Sequence, residues 1–205
     1  MIWNEFACLD FVDSEFADHL GSGRIFDRLP LPRWQQAFLD RWSLVGAPVP
    51  APPKKLKALL ELRLRLRRLL EGASGRKDLG PTQLGYLNSL LAASPYVYKI
   101  SNRQPMSPAP LRRDWDWVIA ELVRSTVEIM TKFDSRRIKA CANPDCSWLF
   151  YDESLNRSRR WCQSNYCGNL IKVREHRARR RISDPRRQSR RTGRTSPASS
   201  RLRRP

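Results

Sequence analysis

Five cysteines occur in this chain of 205 residues, and four of them form two short-range pairs: Cys141 with Cys146, then Cys162 with Cys167. The spacing is C-x4-C, fifteen residues, C-x4-C. It differs from the commoner C-x2-C pairs but still separates two thiol pairs by an insert of hairpin size. Tetrahedral zinc is satisfied by four thiolates, which leave no coordination position open to water or substrate. The pattern therefore predicts one structural zinc ion and no chemistry at the metal. His176 is a rival ligand, but on a helix beyond the fourth cysteine it fits a surface or phosphate-contacting role better. Cys8 lies far away and reads as buried filler. Asp10, Asp13, Glu15, Asp18 and His19 make a polar group beside an apolar segment. No nucleophile, phosphate loop or cofactor signature accompanies them, so they read as surface residues or caps and no enzyme is expected.

The elements that must position the thiols are legible around them. Trp148-Leu149-Phe150-Tyr151 is strand-like, Asp152 to Ser158 holds turn formers, and Arg159-Arg160-Trp161 is expected to return and bring Cys162 beside the first pair. Gly168 permits a tight turn, and Asn169 is expected to cap a helix starting at Leu170. On that helix Lys172, His176, Arg179 and Arg180 share a side at i, i+4, i+7 and i+8, Arg177 lies beside them, and Leu170 and Val173 are expected to face the hairpin. Together with Arg157, Arg159 and Arg160 they are candidate nucleic-acid contacts, since guanidinium groups grip phosphate in a bidentate fork and also read guanine.

Charge supports that reading by its placement. Of the net +19, residues 1–135 hold 19 Lys/Arg against 15 Asp/Glu, whereas 136–205 hold 20 against 5. A field so concentrated attracts polyanions. From Ser183 onward the chain is mostly Arg, Ser, Pro, Thr and Gly, a composition that predicts a disordered tail giving affinity without sequence choice. Anionic membrane is the poorer partner, because the basic helix lacks a broad apolar face. The first residues lack the basic and apolar regions of a signal peptide, and the uncharged stretch from Leu79 to Tyr98 is broken by Gly80, Pro81, Gly85 and Pro95. A cytoplasmic protein is expected, in a reducing compartment where clustered thiols bind metal.

Upstream the pattern is mainly helical. Trp34, Phe38, Leu39 and Trp42 recur at helical spacing, and Pro48, Pro50, Pro52 and Pro53 impose an extended connector. Leu60, Leu62, Leu64 and Leu66 alternate with other residues as a strand would, yet the length of the run, its strong helix formers and its lack of β-branched residues predict a helix over 54–71. A second helix opens at Pro81, Tyr96 to Ile100 is a short strand, and Ser101 to Pro110 reads as a proline-rich loop. The clearest helix spans about Asp114 to Phe133.

Cys141-Ala142-Asn143-Pro144-Asp145-Cys146, Phe150-Tyr151-Asp152, Asn156-Arg157-Ser158-Arg159-Arg160-Trp161-Cys162, Cys167-Gly168-Asn169 and His176-Arg177 together closely resemble the CGNR zinc-finger family. Leu170 stands where that motif has arginine. The N-terminal segments Cys8-Leu9-Asp10-Phe11-Val12-Asp13-Ser14, Asp27-Arg28-Leu29 and Trp42-Ser43-Leu44-Val45-Gly46 resemble the ABATE domain that accompanies it, with Asp13 where Asn is more frequent. The resemblance implies a bacterial stress-responsive transcription regulator whose zinc finger binds DNA and whose N-terminal domain senses or docks something.

The expected fold is α+β. A mainly helical domain over 1–135 would sense a small ligand or protein, a treble-clef or ribbon-like four-cysteine zinc module would occupy 136–182, and a disordered basic tail would follow over 183–205. The expected function is DNA binding in transcription regulation. The principal alternative is an RNA-binding or ribosome-associated zinc protein, in which Trp148, Tyr151 and Trp161 would stack on unpaired bases unless the hairpin buries them. An enzyme acting through the N-terminal domain is the remaining alternative.

Overall fold

A computed structural model of the chain describes residues 4–73, 79–101 and 104–182. The Arg-rich run expected to be disordered, 183–205, lies outside the described residues. Contacts divide the chain into two compact units, Met1–Cys162 and Gln163–Pro205.

In the first unit a short helix, α1 (Ala7–Val12), is buried at every position and packs against α3 (Pro53–Gly72) and α5 (Trp115–Thr131). Leu9, Phe11 and Val12 are almost wholly removed from water. At about 1.5–3 kcal/mol for each large apolar side chain, this one helix anchors the core. The alternating leucines of α3 resolve as helix: Leu59, Leu62, Leu66 and Leu70 are buried at three- and four-residue intervals while Leu64 is exposed. Helix α5 starts on a built cap, since Asp114 Oδ1 accepts from the Asp116 and Trp117 N–H groups at 3.0 and 3.1 Å. Its Trp115, Val118, Ile119, Leu122 and Ile129 face inward. Two further helices are α2 (Pro32–Arg41), with Trp34, Phe38 and Leu39 buried, and α4 (Pro81–Ala92), which buries only Leu87.

Among the described residues, three small antiparallel sheets join these helices. Strands β1 (Glu15–Ala17) and β2 (Ile25–Asp27) form one, β3 (Tyr96–Ser101) and β4 (Gln104–Pro110) the second, and β5 (Ile138–Ala140) and β6 (Leu149–Tyr151) the third. Strand β4 occupies the segment that its prolines mark as loop. Leu111 N donates to the Pro95 carbonyl at 3.0 Å, and Pro108 and Pro110 lie opposite Tyr98 and Tyr96. That phase places both prolines where a backbone N–H would point away from β3, so no ladder bond is lost. In the second unit, a π-helical turn (Ser164–Gly168) runs directly into α6 (Asn169–Ile182).

Candidate metal centre and nucleic-acid interface

The metal site is built on the β5–β6 hairpin. Leu149 pairs with Ala140, Phe150 with Lys139 and Tyr151 with Ile138, so the chain segment carrying Cys141 and Cys146 forms the connection between these strands. The partner of Leu149–Tyr151 is therefore the segment before the first cysteine. Residues 159–161, expected to return as that strand, instead lie alongside without strand pairing: Ala142 N donates to Arg160 O at 2.8 Å, and Cys162 N to Cys141 Sγ at 3.4 Å. Cys162 still arrives beside the first pair, held by those two bonds together with a buried carboxylate. Asp152 accepts from Lys139 Nζ at 2.6 Å, Ser154 N at 2.9 Å and Arg159 N at 3.1 Å, which cross-ties the loop. Burial alone would raise its pKa, yet the bonds from Lys139 and Ser154 win and hold it at about 2.

Cys146 and Cys162 place their sulfurs 3.8 Å apart. Zinc–sulfur bonds of about 2.3 Å at tetrahedral angles require sulfurs about 3.8 Å apart. One sulfur from each of Cys141, Cys146, Cys162 and Cys167 lies within 4.8 Å of all the others, and only Cys146 is not fully buried. Hydrogen bonds from the Cys146 and Cys162 thiols pull Cys141 far below the ordinary thiol range, while that sharing pushes Cys146 and Cys162 up. A single divalent cation with a preference for thiolate satisfies all four donors at once, and the four cysteines hold one structural zinc. Cys8, raised to about 11 chiefly by burial, sits in the helical core with Ser125 Oγ on its backbone N–H.

The candidate basic residues fall into distinct environments. Arg159 is half-buried: its guanidinium donates to the carbonyls of Tyr151 (3.2 Å), Trp161 (3.1 Å) and Cys162, and lies over the Phe150 ring. Arg157 has a positive φ of 53°, is exposed, and approaches Asp134 at 3.5 Å. Arg160 is exposed over the face of Trp161. On α6, Lys172, His176, Arg177, Arg179 and Arg180 are all exposed, and Leu170 is half-buried. Asn169 does not cap this helix. Its backbone is already helical (φ −66°, ψ −41°), and its Nδ2 donates back to Asn165 O at 3.2 Å, because the preceding turn begins the winding at Ser164. Val173 is exposed.

Sequence reading missed the polar network that joins the hairpin to the helices of the first unit. Asp10 and Asp13, expected at the surface, are buried. Asp13 Oδ1 accepts from Leu149 N and from Arg67, each at 3.1 Å, and its Oδ2 accepts from Asn4 at 3.2 Å. Asp10 accepts from Trp42 Nε1 at 3.0 Å. Arg67 also donates to Ser147 O at 2.8 Å, Ser147 Oγ accepts from Ala17 N at 2.9 Å, and Asn143 donates to His19 O at 3.0 Å. Phe6, Phe133 and Tyr151 cluster edge to face, and Trp148 packs beside Phe16 and under Arg28. The one available signal was the spacing of Asp10 and Asp13, which places both on one side of a helix whose other side is wholly apolar.

Comparison with protein families agrees with this construction. Residues 5–132 match the ABATE model, described as a putative stress-induced transcription regulator, and residues 137–180 match the CGNR zinc finger. No curated protein matches the chain. Among the described residues no helix is long and apolar enough to cross a membrane.

Proposed function

Given that the chain belongs to the ABATE family and carries a CGNR zinc finger, we propose that it is a cytoplasmic transcription regulator that binds duplex DNA through its last third. The observation that carries this reading is the charge: 20 Lys/Arg against 5 Asp/Glu over 136–205, with Lys172, His176, Arg177, Arg179 and Arg180 exposed along one helix of 14 residues. Arg157 and Arg160 add exposed guanidiniums from the zinc loop, whereas the guanidinium of Arg159 is engaged by backbone carbonyls. The zinc is structural, so its part is to hold the loop, and no catalytic step is assigned to the protein. The region over 1–135 acts as the sensing part, the zinc finger as a DNA-binding module over 136–182, and the basic tail over 183–205 as a further source of affinity.

Duplex DNA is favoured over RNA because the three aromatic side chains of the zinc loop that the sequence offers for base stacking are partly or wholly covered. Tyr151 is buried against Phe6 and Phe133, Trp148 is half-buried beside Phe16, and Arg160 lies over Trp161. Competition of the full chain between duplex DNA and a structured RNA hairpin tests the choice. Preferential retention on the duplex, lost when Lys172, His176 and Arg180 are replaced by alanine, is the expected result. Preference for the RNA would overturn it.

A further inference from the structure

Between α3 and α4, with Met130 of α5, lies a half-open cavity of about 280 Å³. Leu69, Leu79, Leu87 and Met130 form its apolar wall, and Arg65 and Arg68 also line it. These two arginines differ from their neighbours on the same helix. Arg63 is paired with Glu15 and Asp27, and Arg67 with Asp13 and Glu71. Arg65 and Arg68 form no salt bridge among the described residues, and Glu61, one turn before Arg65, pairs with neither. Arg65 is instead held over the Tyr86 ring at 4.5 Å, which fixes one guanidinium against the wall of the cavity. Thr82 and Gln83, in the first turn of α4, also line the space. First-turn N–H groups of a helix lack intrahelical partners and carry partial positive charge, so this end of α4 adds to the field of the two guanidiniums.

We propose that this cavity binds a small carboxylate with an apolar body. At ~30 Å³ for each water-sized group, the space takes about nine or ten non-hydrogen atoms. The apolar body lies against Leu69, Leu87 and Met130, and the carboxylate is taken by Arg65 and Arg68, whose charges are not spent in salt bridges among the described residues. A cation is repelled by the same pair, and a neutral molecule of equal size gains only the apolar contacts. The same helix carries Arg67, which holds Asp13 and the Ser147 carbonyl of the zinc hairpin, so occupancy of the cavity bears on the helix that grips that hairpin. The site gives the sensing role assigned to the N-terminal region a place and a ligand class, and it rests on that reading; its test contains no nucleic acid, so the two fail separately.

The direct test is calorimetric titration of the zinc-loaded full chain with octanoate, 1-octanol and octylamine, three probes of one size and different charge. Octanoate is expected to bind saturably at one per chain, with the alcohol and the amine at least about tenfold weaker. The Arg65→Gln/Arg68→Gln double variant changes two exposed side chains, and its retained thermal midpoint certifies the fold. It should lose about tenfold in octanoate affinity and leave octanol binding unchanged. Absence of saturable octanoate binding, equal binding of octanol, or an unchanged double variant would each overturn the proposal.

Discussion

Asp13 shows how one residue ties two parts of the chain together. It sits at the end of α1, where burial pushes its carboxyl up to about 7 against the opposing pull of Arg67 and the Leu149 N–H. Asp10 is likewise raised to about 7, chiefly by burial. Both folded values lie above the ordinary 3.8. At these two groups the folded protein retains protons that the unfolded chain releases between about pH 4 and 7, so their contribution to stability is greatest at the acid end of that window and is lost as pH rises through about 7. Asp13→Asn keeps an acceptor for Leu149 N and Arg67, and Asn4 can turn its amide to meet the new donor. Thermal melts from about pH 5 to 7 should show the slope changed by about one proton, or about 1.4 kcal/mol per pH unit, with the variant gaining stability relative to the parent at the alkaline end. An unchanged slope would place the titration elsewhere. A second contrast separates two neighbouring arginines. Arg159→Ala strips three backbone carbonyls of a donor and should cost about 1–3 kcal/mol of stability, whereas Arg160→Ala should leave the melt unchanged and weaken nucleic-acid binding. Equal melting losses for the two would contradict the division.

Among the elements, the β5–β6 hairpin belongs to the same apolar core as the helices, because Ile138, Leu149 and Tyr151 pack with α1 and α3 residues. The zinc-bearing connection thus closes part of that core, and the family boundary between 132 and 137 does not coincide with the packing boundary after Cys162. Chelating the zinc, or replacing Cys162 with Ser, should lower the melting temperature seen by near-ultraviolet circular dichroism of the buried Trp34 and Trp117 by at least about 4 °C. A midpoint unaffected by chelation would show that the hairpin folds apart from the helices. Helices α2, α3, α4 and α5 were readable from the sequence because apolar period, proline starts and the Asp114 cap agreed there. Strand β4 was hidden by its prolines, whose compatibility with pairing depends on a phase set by β3. The true partner of Leu149–Tyr151 was equally hidden, because Ile138–Ala140 is a short segment and the ties that draw residues 159–162 back, the buried carboxylate of Asp152 among them, join groups far apart in the chain.

At the scale of the whole molecule the charge is unevenly divided. The first 135 residues carry nearly balanced charge and the last 70 a large excess of arginine. The four zinc ligands were legible because thiol spacing is a local property of the chain. The Asp13 network was not, since it joins residues 136 positions apart. The central claim, that the excess charge serves to bind duplex DNA, is tested most directly by the affinity of the zinc-loaded full chain for a DNA duplex across a salt series. If about six to ten basic groups meet phosphates, affinity falls about 10³–10⁵-fold between 50 and 200 mM salt. A response flat across that range would contradict it.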